Sequence, residues 1–179
     1  MIDILLCGDP FDSSIADALI PALSLCGGLC FSDRNAVMEC GDSARYFLYE
    51  SDTVPKIGMK RGILLLKDKL CETMPVQVPD GFVGVIGSRN AQAARMMCGS
   101  GASVVTCGTG PKDTLSLAGL DTSAACVSLQ RNLVTLDGEL LEPHDFSITL
   151  LQRRSPEQVL AVSAVLLLSG VDSEQGYRI

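Results

Sequence analysis

The chain has 179 residues, of which 47% are hydrophobic and 20% charged, and its net charge is −7. That length suits one domain with a full core, and that polarity excludes a disordered chain. No basic run exceeds Arg153-Arg154, so neither a nucleic-acid groove nor an anionic membrane surface is expected as a partner.

IDILLC, residues 2–7, reads as a buried strand running into Gly8. SSIADALIPALSLCGG follows as a helix: Ile15, Leu19, Leu23 and Cys26 recur at helical spacing, and Gly27-Gly28 ends the pattern. Pro21 inside it predicts a kink or an early end. LCFSD, ARYFLYE, RGILLLKD and GFVGVIGS are further strands, NAQAARMMCGSG is a helix with a glycine stop, and SVVTCG is the next buried strand. Strands alternating with helices predict a parallel sheet covered on both faces. After Cys107 the pattern changes. TLSLAGL, AACVSLQRNLVTLDGELL and DFSITLL hold no helix, and Asp137-Gly138 between two alternating runs signals a hairpin. SPEQVLAVSAVLLLSGV closes the chain as a helix from Pro156 to Ser169. Ser155 is its N-cap, Pro156 its first position, Gln158 completes a capping box and Gly170 ends it. Being apolar nearly all round, it should be buried. Neither a repeat nor a linker interrupts residues 1–179, which predicts a single domain.

The start, MIDILLCGDPF, lacks a basic leader segment, and the longest apolar stretch, in VLAVSAVLLLSGV, is too short to span a bilayer. The eight cysteines are irregularly spaced, without a C-x-x-C pair, and there is one histidine. Zinc ligation needs more than that, so reduced cysteines in a cytoplasmic protein are expected.

The first strand, turn and helix have the layout of a phosphate-binding loop. Such a loop needs glycines for backbone approach, a lysine for charge and Ser/Thr for a magnesium ion. CGDPFDSS keeps Gly8, Ser13 and Ser14. The whole chain resembles the central, ATP-binding domain of the Mur ligase family, enzymes that join amino acids to a peptidoglycan precursor through an acyl phosphate. The family loop reads T-G-T-N-G-K-T-[ST]. Cys7 and Gly8 take its first two places, Asp9 and Pro10 follow, Phe11 takes the second glycine, Asp12 the lysine, and Ser13 and Ser14 the hydroxyl positions. YFLYESD resembles the strand ending in a magnesium-binding glutamate, which would be Glu50. GVIGSRNAQAARMM, leading to ASVVTCG, resembles the family's strand, Asn-x-Asp-Asp loop, helix and next strand. RSPEQVLAVSAVLLLSGVD resembles its closing H-N-x-x-N helix, whose asparagines contact the nucleotide. The resemblance implies a three-layer, Rossmann-like and P-loop-like, mainly parallel sheet with an antiparallel edge patch and a buried C-terminal helix. It covers the one domain and not the family's flanking substrate and amino-acid domains, so a stand-alone domain is expected.

The departures point one way. Phe11 puts a bulky side chain, and Asp12 a negative charge, where phosphate should lie. Two like charges about 4 Å apart cost roughly 4 kcal/mol at an effective dielectric of ~20. Arg154 stands at the helix's histidine, and Ser155 and Gln158 stand at its asparagines, the nucleotide side of the site. Arg89 and Asn90 replace the acidic pair, and the family's carbamylated-lysine segment has no clear counterpart: RGILLLKDKL offers Lys67 and Lys69, with nothing to match either one to it. GTGPKDT, residues 108–114, imitates a Walker loop but reads as a turn, because Pro111 precedes Lys112. His144 reads as a loop histidine and Cys107 as a core cysteine. The expectation is a degenerate phosphate loop of Gly8, Asp9, Phe11, Asp12, Ser13 and Ser14 in a non-catalytic pseudoenzyme without a cofactor. It would act by binding a protein, a second copy of itself as a homo-oligomer, or a small ligand. The alternative is an enzyme or sensor with weakened Mg-ATP binding and magnesium at Glu50.

Overall fold

The computed structural model describes residues 1–41, 43–70 and 76–179. The first half of the chain forms β1 (Ile2–Cys7), α1 (Ser14–Leu25), β2 (Leu29–Ser32), β3 (Val37–Cys40), β4 (Tyr46–Ser51) and β5 (Arg61–Leu66). Then come β6 (Gly81–Gly87), α2 (Ala91–Met97), β7 (Ser103–Gly108), β8 (Leu115–Leu120) and β9 (Ala124–Leu129). The chain closes with β10 (Leu133–Val134), β11 (Leu140–Leu141), β12 (His144–Thr149), α3 (Pro156–Leu168) and β13 (Tyr177–Arg178). Among the described residues, no helix is long and apolar enough to cross a membrane.

Eleven strands form one sheet in the order β13-β12-β9-β8-β7-β6-β5-β1-β4-β2-β3. The block from β7 through β2 is parallel, as the strand-helix alternation requires. β8, β9 and β12 pair antiparallel, which is the change of pattern after Cys107. The Asp137-Gly138 turn joins β10 to β11 in a separate two-stranded ribbon. β3 and β13, the sheet's two edges, lie outside the expected strands. β3 is exposed at Val37, Met38 and Glu39, and β13 has two residues, so neither carries the apolar alternation that marks a half-buried strand.

Alternation along β1 divides the core into two layers. Ile2, Ile4 and Leu6 face α1 and α3, while Leu5 and Cys7 join Leu64, Phe82 and Met97 on the α2 side. This is the three-layer arrangement with helices on both faces. Pro21 does not end α1, which continues to Leu25. The carbonyl deprived of a partner by the proline belongs to Asp17, an exposed residue that water can serve. α3 has both halves of its capping box: Gln158 N donates to Ser155 Oγ and Ser155 N to Gln158 Oε1. At its other end Gly170 adopts a φ of 67°, and the amides of Gly170 and Val171 donate to Leu167 O and Leu166 O, a Schellman closure. Every residue from Val159 to Leu168 is buried. At about 1.5–3 kcal/mol per fully buried large aliphatic side chain, α3 is a main contributor to the core.

Candidate functional site

In the sheet order β1 lies between β4 and β5, so the connections leaving its two sides diverge at its carboxyl end. Open α/β sheets bind ligands at such a point. Here it is occupied by the loop from Gly8 to Ser14 and by the segment leaving β5. Gly8 has a φ of 145°, and a Cβ there would lie 2.6 Å from Lys67 Cβ and 2.7 Å from Lys69 O. Glycine is therefore required both by the backbone angle and by the closeness of the β5 exit.

Five amides of the loop donate to groups within the protein. Gly8 N donates to Ser51 O at 3.0 Å and Asp9 N to Lys69 O at 2.8 Å. Phe11 N donates to Asp9 Oδ1 at 2.9 Å, Asp12 N to Asp9 O at 3.2 Å, and Ser14 N to Asp12 Oδ1 at 3.0 Å. One side-chain carboxylate, Asp12, thus holds the first amide of α1, where a bound anion would sit, and a second, Asp9, holds an amide of the preceding loop. Hydrogen bonding from Ser14 holds the Asp12 carboxyl below its ordinary value. Burial opposes that, while the charges of Lys67 and Lys69 add to it. Ser13 Oγ donates to Asp17 Oδ2 at 2.8 Å, and the Phe11 side chain stands 95% exposed at the loop tip.

Lys67 is what the sequence reading lacked. It directly follows β5, is only 1% exposed, and turns its ammonium into the loop from beneath. Nζ donates to Asp12 O at 2.5 Å and Asp9 O at 3.0 Å, and it pairs directly with Glu50 Oε1 at the end of β4. A buried lysine needs such an environment, since an unpaired ammonium is very costly away from water. The structure places Glu50 beside the loop, but the Lys67 ammonium stands where the magnesium ion that the resemblance implies would have to sit, so the residues as they stand do not fit it. The space against its carboxylate oxygen holds an ammonium, and the two nearest carbonyls point at that same group. Among the described residues, no three His, Cys, Asp or Glu side chains gather as a metal site.

Beside the loop lies a crevice bounded by Asp12, by Asp68 after β5 and by Glu157 in the first turn of α3. Its floor is apolar, built from Leu65, Val85, Cys107 and Leu160. Burial, and then the neighbouring charge and hydrogen bond of Asp68 and the charge of Asp12, raise the Glu157 carboxyl above its ordinary value. Cys107 is buried, with its thiol pushed up to about 12 by burial and then by Asp113, so it is an inert core thiol at neutral pH. Three carboxylates around an apolar floor oppose an anionic ligand.

The other candidates hold the fold together. Ser155 and Gln158 cap α3, and Gln158 Nε2 also donates to Ser14 O at 2.6 Å, tying the starts of α3 and α1 together. Asn90 is buried. Its Oδ1 caps α2 through Ala93 N, and its Nδ2 donates to Lys67 O at 2.9 Å. It thereby positions the strand end that carries Lys67, while Arg89 is exposed. Arg154 is buried near Asp17. His144 is fixed between Glu142 O and Ser173 Oγ, both at 2.7 Å. Residues 109–114 form the turn between β7 and β8, closed by Gly110 N donating to Asp113 Oδ2 at 2.8 Å. Cys26, Cys30, Cys40, Cys98, Cys107 and Cys126 are free thiols, and Cys71 lies outside the described residues.

No protein-family model matches this sequence, and no curated protein matches it either. Solved structures do. A UDP-N-acetylmuramoyl-L-alanyl-D-glutamate–2,6-diaminopimelate ligase matches with a TM-score of 0.57 at 14% identity, over 98% of this chain and 45% of its own. The murein peptide ligase of Psychrobacter arcticus gives 0.61 at 10% identity, over 97% and 45%. The MurF ligase of Thermotoga maritima, in complex with ADP, gives 0.53 at 11% identity, over 93% and 44%. The chain thus spans less than half the length of these ligases. Taken with the parallel sheet, the loop after β1 and the buried closing helix, these matches show that the chain has the fold of a Mur-ligase-like domain.

Proposed function

We propose that this chain is a non-catalytic Mur-ligase-like domain that binds a protein or a small neutral or cationic ligand and does not use Mg-ATP. One of the similar ligases holds ADP, so nucleotide binding is the reading to test against. The observation that carries the proposal is the occupied loop: Asp9 serves the Phe11 amide, Asp12 serves the first amide of α1 at Ser14, and the Lys67 ammonium sits against Glu50. A triphosphate would have to displace two carboxylates and approach past Phe11, beside the carboxylates of Asp68 and Glu157. Each lost charge-assisted contact weakens binding by about 1.5–3 kcal/mol. The exposed features suit a macromolecular contact, a second copy included. They are Phe11 at the loop tip and the edge strand β3, where Val37 is 75% exposed.

Calorimetric titration with Mg-ATP tests the proposal. The expected dissociation constant is about 1 mM or weaker. Low-micromolar binding that disappears in Ser13→Ala would overturn it in favour of a nucleotide-binding enzyme or sensor. Native mass spectrometry of the purified protein would show a retained ligand or a dimer directly.

A further inference from the structure

We infer that Lys67 is a tethered cation that replaces a divalent metal on Glu50, and that removing its ammonium uncovers a site for a hard divalent cation. Three oxygens converge on Nζ: Asp12 O at 2.5 Å, Asp9 O at 3.0 Å, and Glu50 Oε1. One carboxylate and two carbonyls are donors of the kind that Mg²⁺ and Mn²⁺ take, with water completing the shell. The ammonium satisfies the same donors with one positive charge that cannot leave. The cage does not depend on the lysine alone for its shape. Gly8 N and Asp9 N bond to Ser51 O and Lys69 O, and Asn90 holds the backbone of residue 67 through Lys67 O. A small cleft that Glu50 also lines is bounded by Pro10, Asp33, Arg34 and Asp52, with Arg34 paired to Asp52. Truncating the lysine leaves the oxygens in place and the charge missing.

The inference rests on the same filled loop as the proposed function, but its readout is metal binding without nucleotide. Mn²⁺ binding is measured by electron paramagnetic resonance on wild type, Glu50→Gln, Lys67→Ala, Lys67→Gln and the double variant Lys67→Ala with Glu50→Gln. Wild type and Glu50→Gln should bind Mn²⁺ alike and weakly. Lys67→Ala should bind one ion at least tenfold more tightly, and adding Glu50→Gln should abolish the gain. Wild-type binding that Glu50→Gln removes would overturn the inference, as would a folded Lys67→Ala and Lys67→Gln pair that binds no more than wild type. Should neither lysine variant fold, the wild-type comparison decides alone. Tight ATP binding with no Glu50-dependent metal in wild type would defeat the proposed function and leave this inference standing.

Discussion

Helices α1 and α3 pack together on one face of the sheet, yet their first turns are held in unrelated ways. α3 is closed by its own neighbours: Ser155 and Gln158 exchange bonds three residues apart, and the helix is buried all round. α1 has Ser13 as its N-cap, and the Ser13 side chain makes no cap hydrogen bond. Its start is organised instead by Asp9, Asp12 and the ammonium of Lys67, which reaches the Asp12 carbonyl from 55 residues away in sequence. The core-side helix therefore depends on apolar volume and local capping. The loop depends on a buried charge balance among Lys67, Glu50 and the loop's own carboxylates and carbonyls.

The largest expected effect lies on the charge side. Lys67→Met leaves Glu50 without its partner and removes a donor from the Asp12 and Asp9 carbonyls, of which Asp9 O keeps Asp12 N. Breaking a buried pair in this way costs about 3–5 kcal/mol. Urea unfolding should show that loss, and a cost under about 1 kcal/mol would mean that the buried pair contributes little to stability. The corresponding break on the apolar side is Leu167→Ala, which removes a fully buried side chain from α3. Cavity formation predicts a loss of roughly 2–5 kcal/mol, unaffected by added salt. A large salt dependence in that variant would blur the distinction drawn between the two helices.

The same contrast explains what could be read in the sequence. α3, the Asp137-Gly138 hairpin and the parallel strands were legible because caps, turns and periodicity are local signals. Gly8, Ser13 and Ser14 marked the loop for the same reason. Lys67 was not legible. In RGILLLKD it looks like the first polar residue after a strand, and its partners Asp9, Asp12 and Glu50 meet it only because β5 and β4 flank β1. Ser155 and Gln158 show the converse: a local rule placed them correctly as caps, while the Gln158 bond to Ser14 O depends on the packing of α1 against α3.

Capping supplies a sharper test at smaller magnitude. Ser155→Ala should cost about 1 kcal/mol, the usual value for an N-cap. Gln158→Ala should cost more, because it removes the reciprocal cap and the link to Ser14 O together. Thermal unfolding of both variants checks the order. A Gln158→Ala variant milder than Ser155→Ala would mean that the bond between the helix starts contributes little.

The smallest expected effect concerns Asp12 and follows from opposed terms. Its carboxylate accepts from Ser14 N, which favours the fold, but it also faces Glu157 and Asp68 across the crevice, which does not. Asp12→Ala should therefore cost only about 0.5 kcal/mol at pH 7, below the usual value for a cap. The sign of its pH dependence is fixed by the direction of the shift. A carboxyl depressed in the folded state adds stability above its unfolded value, about 3.9, and loses it as pH falls through the folded value. The gap between wild type and Asp12→Ala should be flat from pH 6 to 8, by this linkage, and should shrink below about pH 4. Glu157 gives an independent readout. Burial and Asp68 are the main causes of its raised carboxyl, with Asp12 a lesser one, so the variant should lower its titration midpoint only part of the way toward the ordinary value. Side-chain NMR titration of Glu157 measures this directly. A stability gap unchanged down to pH 3, together with an unmoved Glu157, would show that Asp12 neither serves as the resident anion of the α1 start nor adds to the negative field of the crevice.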